Sequence, residues 1–313
     1  YKADIIRSMV LIVMATTIIY LAIIRYEKHH FTWVYILAIL IFVDMWFVNK
    51  RYFNQDSFVV KSKIETPFQI QDFDKLIKQD TSVYRVYNLN ERLDQGARTS
   101  YFHHSLGGYH GAKLGKYQEL IDAHISKGNL NVINMLNTKY IITSNKNREP
   151  IVQQNSSACG NAWFVKDVNW VYSADQELIS LSDFDPNNSV IINNKYQHYV
   201  GDFNYNEDNI IELKTYRPNK LIYNAHVDTA SLAVFSEIFY PKGWKAYLDG
   251  VPVNHFPVNY ILRGLYIPKG VSEIVFEFKP KSFFVSSKIS FISSCLLVLT
   301  GILSIVRLFA IKT

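Results

Sequence analysis

Cysteine is nearly absent from this sequence. Cys159 stands in a Ser-rich loop and Cys295 inside an apolar run, and a bridge between them would drag a loop into lipid. No disulfide framework follows. Internal repeats and low-complexity tracts are missing too, which argues against a solenoid or a disordered tail. One-sided charge is weak: the formal net charge is +6, but Lys and Arg are interleaved with Asp and Glu along the chain. That pattern lacks the basic stripe of a nucleic-acid binder, and spans flanked by Lys and Arg produce the same excess. Neither a Ser/His/Asp nor a Cys/His constellation can be assembled from the spacing, and Cys159 has no neighbouring base. Asp72, Asp74 and Asp94 read as helix caps and loop solvation, and no motif points to a cofactor. The chain starts at Tyr1 with no basic n-region or cleavage site before its first apolar run, so it reads as the C-terminal part of something longer.

What is present is apolar sequence gathered at the two ends. Ser8 to Ile24 carries no charge and lies between Arg7 and Arg25, a length at the lower end of what a ~30 Å hydrocarbon layer requires. A polar link, Arg25 to His30, leads to a second run from Phe31 to Asn49, with Trp33, Tyr35 and Trp46 placed near its ends as interfacial aromatics would be. A third run, Ile289 to Val306, lies between Lys288 and Arg307. None shows the polar stripe of a soluble helix. Arg25 and Lys28 in the link, with Arg307 and Lys312 at the end, place both on the cytoplasmic side and Lys50 to Ser287 outside, although Lys50, Arg51, Lys281 and Lys288 flank the opposite face. Asp44, inside the second run, needs water or a partner. It either faces a cavity in a larger helical bundle, or reaches the headgroup layer or pairs with Lys50 or Arg51.

The middle of the chain has two characters. Asp72–Gln79 (helix), Val83–Tyr87 (strand), Leu114–Ile125 and Leu130–Leu136 (helices), Tyr140–Thr143 and Ala162–Val171 (strands) and Ala174–Ser180 (helix) alternate as an α/β layer. From about Asp208 the pattern turns to short β-rich runs: NIIELKTY, KLIYNAHV, SLAVFSEIFY, WKAYLDG, VPVNHFPV, YILRGLYIP and SEIVFEF. About seven strands at this spacing suit a β-sandwich. Asp249-Gly250 has the chemistry of a type I′ hairpin turn, and Pro268-Lys269-Gly270 marks another. The expected architecture is a membrane protein fragment with three transmembrane α-helices. Between them lies an extracytoplasmic α+β region, made of an α/β layer and a C-terminal antiparallel β-sandwich. The expected divisions are a helical hairpin at 1–50 (spans about 8–24 and 31–49), an α/β domain at 51–205, a sandwich at 206–283, and a closing helix with its tail at 284–313.

Reactive side chains are densest between Arg98 and Lys113 (RTSYFHHSLGGYHGAK). His103, His104 and His110 match no zinc spacing with a mechanical basis, so no metal site is assigned. The glycines would let backbone amides approach an anion that Arg98, Lys113 and Lys116 neutralise, a phosphate or sugar phosphate, while Tyr109 lies in the same stretch. A well-ordered loop with surface imidazoles is the other reading. Trp244 and Tyr247, on the sandwich hairpin, are candidates for stacking on a sugar or for core positions.

Several stretches together resemble the YfhO-type bacterial membrane proteins: DMWFVNKRYFN (Asp44 to Asn54), SLGGYHGAKLGKYQELID (Ser105 to Asp122), MLNTKYII (Met135 to Ile142), GNAWFV (Gly160 to Val165) and YPKGWKAYLDG (Tyr240 to Gly250). The resemblance implies a many-spanning glycosyltransferase-like protein of the GT-C type in the bacterial cytoplasmic membrane. Such a protein transfers sugar from a polyprenyl-phosphate donor to a cell-envelope polymer. In such enzymes the catalytic carboxylate typically lies in the first external loop, so no family active-site residue transfers to a position here, and this part is expected to bind or position the acceptor. The implied partners are the lipid bilayer, a polyprenyl-phosphate-linked sugar and an envelope glycan. A noncatalytic envelope-assembly protein whose external module binds glycan or protein stands as the alternative.

Overall fold

The computed structural model describes residues 2–24 and 26–310. The chain divides into two compact units, Tyr1–Gln69 and Ile70–Thr313.

In the first unit, α1 (Lys2–Ile24) and α2 (Tyr26–Tyr52) run antiparallel and are followed by a 3₁₀ turn at Gln55–Ser57 and by α3 (Lys61–Glu65). Asp4–Ile24 and Thr32–Tyr52 are long and apolar enough to cross a membrane. Helix α2 starts earlier than the sequence reading has it, because Glu27 to His30 contain no Gly or Pro to break the backbone. Arg25, the first residue of the expected link, and Lys312, used for orientation, lie outside the described residues. Thr16 and Thr17 return their hydroxyls to the carbonyls of Ile12 and Val13 at 2.7 and 2.8 Å, so neither leaves a polar group open to lipid. Asp44 is paired, and its partner is neither Lys50 nor Arg51. Arg7 donates to it through Nε at 3.1 Å and through Nη2, while Arg51 pairs with Asp4 at 2.5 Å. An isolated carboxylate in a spanning helix costs about 2.5–3.5 kcal/mol at mid-bilayer, and a guanidinium on the neighbouring helix offsets much of that.

The second unit begins with α4 (Asp72–Ile77), β1 (Arg85–Asn88), α5 (Arg98–Phe102), α6 (Gly115–Ala123), a 3₁₀ turn at Ile125–Lys127, α7 (Leu130–Met135), β2 (Thr138–Ser144) and β3 (Pro150–Gln154). Strand β1 pairs parallel with β2, which pairs antiparallel with β3. Next come β4 (Ala162–Val165), β5 (Asp167–Val171), α8 (Ala174–Ser180) and β6 (Ser189–Asn193), then a 3₁₀ turn at Asn194–Tyr199. Strands β5 and β6 are parallel, with α8 as their crossover. Parallel pairs joined through helices are the expected α/β pattern. Ala162–Val171, however, is not one strand. The chain leaves one sheet for another at Lys166, whose amide bonds Asn188 O at 2.8 Å.

Eight strands follow: β7 (Ile210–Arg217), β8 (Lys220–His226), β9 (Ser231–Ile238), β10 (Trp244–Leu248), β11 (Val251–Val253), β12 (Phe256–Val258), β13 (Leu262–Ile267) and β14 (Glu273–Phe278). They form antiparallel sheets in the orders β11-β10-β14-β8-β7 and β12-β13-β9-β4. VPVNHFPV therefore also splits, its halves serving different sheets. Asp249 and Gly250 have φ of 45° and 81°, as the two-residue turn joining Leu248 to Val251 requires.

Strand β9 explains how the layers meet. Its run Ser231–Ser236 is buried without alternation, the mark of a strand covered on both faces. On one side Ala233 and Phe235 join Tyr223, Ala246, Ile274 and Phe276 of the five-stranded sheet, with Phe235 edge-on to Tyr223 and to Phe276 at 4.9 Å each. On the other, Leu232 and Val234 join Leu120, Val132, Met135 and Val190 of the helical layer. Helix α9 (Lys281–Ala310) leaves directly from β14, and its window Lys281–Ser304 is again long and apolar enough to cross a membrane.

Substituting Arg7→Leu should strand Asp44 and lower insertion of α2 by roughly 2 kcal/mol, with Arg7→Leu/Asp44→Leu restoring it. A glycosylation-mapping insertion assay reads both outcomes.

Candidate functional site

Two polar cavities of about 300 and 450 Å³ adjoin in the second unit and share Val83, Asn161 and Tyr216 as a common wall. Together they make a groove. Arg85 and Glu237 face each other in the first cavity with Nη2 and Oε1 at 3.8 Å, both side chains 17% exposed. That separation is an ion pair without a hydrogen bond, so both groups keep capacity for a ligand. Arg85 is anchored from behind, donating through Nη1 to Leu136 O at 2.7 Å. Tyr216 stands edge-on to His104 at 5.6 Å between ring centres. Burial raises the Tyr216 phenol, so it stays a neutral donor and acceptor.

Three irregular ladders aim these side chains. The β13–β9 register jumps so that Leu262 faces Ile238 while Arg263 faces Phe235, leaving Ser236 and Glu237 on a bulge. Ser236 turns inward to the carbonyls of Met135 (3.0 Å) and Gly160 (2.5 Å), and Glu237 lines the groove. The β7–β8 ladder shifts between Leu213 and Thr215, just before Tyr216, and the β1–β2 ladder shifts between Arg85 and Val86. Bulges re-aim side chains and gather beside sites. Asn137, on the groove lining, holds φ at 54° and donates through Nδ2 to Val83 O (2.9 Å) and Asn161 Oδ1 (3.1 Å). Asn is among the few residues that tolerate this conformation.

The residues singled out from the sequence scatter around this groove. His103 and His104 line it. Arg98 is committed to Asp74, which is fully buried and also receives Gln71 N (2.9 Å) and faces His103 Nε2 (3.0 Å). Asp74 is thus a cap, as read, and also the centre of a buried charge cluster. Arg98 further lies over Phe73 and Phe102 at 4.9 and 5.1 Å and lines a separate cavity of about 310 Å³. Tyr109 is 78% exposed, His110 accepts from Ala112 N at 3.0 Å, and Lys113 donates to Gln118 at 3.1 Å; none of the three is in the groove. Trp244 lines a different cavity. Cys159 is half-buried, and desolvation pushes its thiol up to about 12, so it carries no thiolate at neutral pH. Among the described residues no group of three or more His, Cys, Asp or Glu side chains is placed to hold a metal ion. Arg85, Tyr216 and Glu237 escape a sequence reading because only the bulges bring them together.

The described helices and sheets define a membrane-associated protein with a substantial folded region outside its apolar helices. Residues 178–290 match the family model of the bacterial membrane protein YfhO, which bears out the resemblance over that stretch, from α8 into α9. Tyr216 and Glu237 fall inside the match, Arg85 and His103 outside it. Neither a curated protein nor a solved structure matches the chain.

Burial alone raises Asp74, but Arg98, the Gln71 amide and His103 outweigh it and hold the carboxyl below the usual range. Burial lowers His103, against the pull of Asp74, and lowers His255 to about 4. The unfolded chain therefore binds more protons below pH 6.5, and stability should fall as pH drops from about 6.5, before most carboxylates titrate. Hydrogen exchange of the β-sheet amides against pH should show this slope, with His103→Gln lessening it and His103→Gln/His255→Gln nearly removing it.

Proposed function

We propose that this chain belongs to a glycosyltransferase-like protein of the bacterial cytoplasmic membrane, one that adds sugar from a polyprenyl-phosphate donor to a cell-envelope polymer. The second unit serves as its acceptor-binding module. In this reading α1, α2 and α9 span the membrane, and the region between them faces outward as an α/β layer over a β-sandwich of the two antiparallel sheets. The divisions are a hairpin at 1–50, an α/β domain at 51–205, a sandwich at 206–283 and a closing helix at 284–313.

The observation that carries the reading is the groove. Its two adjoining cavities suit a run of sugar units better than a compact ligand, and a loose Arg85–Glu237 pair beside the Tyr216 ring supplies what a sugar needs. Hydroxyls take charged hydrogen bonds, and the apolar ring faces take aromatic contact. Motifs of the family resemblance contribute Ser105, Asn137 and Asn161 to the lining. The His-rich loop then holds the groove's flank through His103 and His104. Asp44, tied to Arg7, is structural in the helix pair.

Arg85→Gln, Glu237→Gln and Tyr216→Ala should each weaken acceptor engagement about tenfold, the loss of roughly 1–2 kcal/mol expected for one such contact. Sugar transfer in membranes, measured against acceptor and donor concentration separately, should show a raised acceptor KM with the donor KM unchanged. Unaltered acceptor dependence in all three would sink the assignment. Weakened glycan binding with no transfer from a polyprenyl-phosphate donor in any form would instead select the noncatalytic envelope module.

A further inference from the structure

A basic notch opens where the last strand of the second unit becomes its apolar helix. Lys242, Trp244 and Lys245 come from the start of β10, and Lys279 and Lys281 from the step between β14 and α9, around a cavity of about 340 Å³. The two segments are locked together: Lys279 N donates to Gly243 O at 2.7 Å. Gly243 has φ of 111°, and a Cβ there would stand 2.8 Å from the Phe278 ring and 3.0 Å from Pro280, so no other residue lets the segments approach this closely. Among the described residues none of the four lysines is within ion-pair distance of a carboxylate, including Glu277, which faces Lys245 across the β10–β14 ladder. Behind the notch lies a further cation. Arg263 is 2% exposed and stacks on Trp244 at 4.0 Å, its Nε is bonded to Ile238 O, and its Nη1 has no partner. Burial lowers it to about 10, which leaves it charged at neutral pH.

The position of this charge matters as much as its sign. Lys281 lines the notch and also opens the window Lys281–Ser304 that is apolar enough to span a membrane. A notch one residue from the start of a span lies at headgroup level, where a half-buried Trp is also at home. Basic residues on this flank run against the charge bias that orients short loops, and a lipid ligand accounts for them.

We propose that this notch binds the headgroup of an anionic phospholipid of the bilayer entered by α9, its phosphate held by Lys242, Lys245, Lys279 and Lys281 and its glycerol region against Trp244. The proposal rests on α9 as a span and not on the groove. Binding seats the five-stranded sheet on the membrane surface and restricts the tilt of the folded region about the short β14–α9 step.

The test uses the full chain in nanodiscs of phosphatidylcholine, with or without phosphatidylglycerol. In a Trp33→Phe/Trp46→Phe background, which removes the tryptophans of α2, brominated phosphatidylglycerol should quench tryptophan emission, and Trp244→Phe should remove most of that quenching. The variant with Lys242, Lys245, Lys279 and Lys281 changed to Gln should lose at least about tenfold in phosphatidylglycerol affinity, given the attraction each basic side chain has for an anionic surface. Changing Lys127, Lys146, Lys166 and Lys269 to Gln, an equal charge loss elsewhere, should leave it intact. Hydrogen exchange of β8 and β9 reports whether each variant is folded, and Lys242→Gln/Lys279→Gln gives an intermediate loss if the fourfold variant is not. Equal affinity in both fourfold variants, no preference for phosphatidylglycerol, or protection by inorganic phosphate alone would each overturn the proposal.

Discussion

Strand β9 is the element on which the rest of the second unit depends, because it is buried on both faces. Its odd-numbered side chains complete the aromatic core between the two antiparallel sheets, and its even-numbered ones complete the core beneath the helices. Fully burying side chains of this size contributes about 1.5–3 kcal/mol each. A single strand therefore couples two cores that neither half of the sequence closes alone. Strand β4 reinforces the coupling, since it precedes the parallel pair β5 and β6 in the chain yet pairs with β9 through Trp163↔Val234 and its neighbours.

Where β9 leaves this doubly buried environment, it bulges. Ser236 satisfies two carbonyls of the helical layer and Glu237 swings out toward Arg85. The groove is thus a consequence of joining a parallel layer to an antiparallel pair of sheets: the ladders cannot all keep register at the junction, and the residues that lose it become available to a ligand. Nearby, Asp74 gathers Arg98, His103 and a backbone amide into a buried cluster that braces the groove wall and reaches its lining through His103. Removing one member of such a cluster costs more than the cluster contributes intact, because it leaves a buried charge without a partner.

The same economy of connection governs the exit from the fold. Pro280 ends the strand geometry of β14 and Lys281 begins a continuous helix, with Gly243 permitting the close contact that stiffens the step. In the first unit, among the described residues, two ion pairs link α1 and α2, and threonine hydroxyls return to their own helix. These carboxylates and hydroxyls are thus satisfied locally or by the neighbouring helix, as a hydrocarbon surrounding demands.

The apolar runs, the change from alternating helices and strands to short strands near Asp208, and the Asp249-Gly250 turn were all legible in the sequence. Each depends on local composition or on a period that neighbouring residues carry. Helix α8 appears where Ala174–Ser180 predicts it, and α7 ends one residue short of its expected limit, because amphipathic spacing and capping residues act within a turn or two. The division of Ala162–Val171 and Val251–Val258 between sheets left no local mark, since both halves of each run have the same strand chemistry. Nor did the partner of Asp44, which lies 37 positions away. The groove was the least legible: His103 and His104 stood out by residue type, but Arg85, Tyr216 and Glu237 meet only because three ladders slip. Sequence by itself determined which segments are apolar, helical or extended. Tertiary structure alone decided which faces close and which side chains are left open, because register and burial are properties of pairs of segments that lie far apart in the chain.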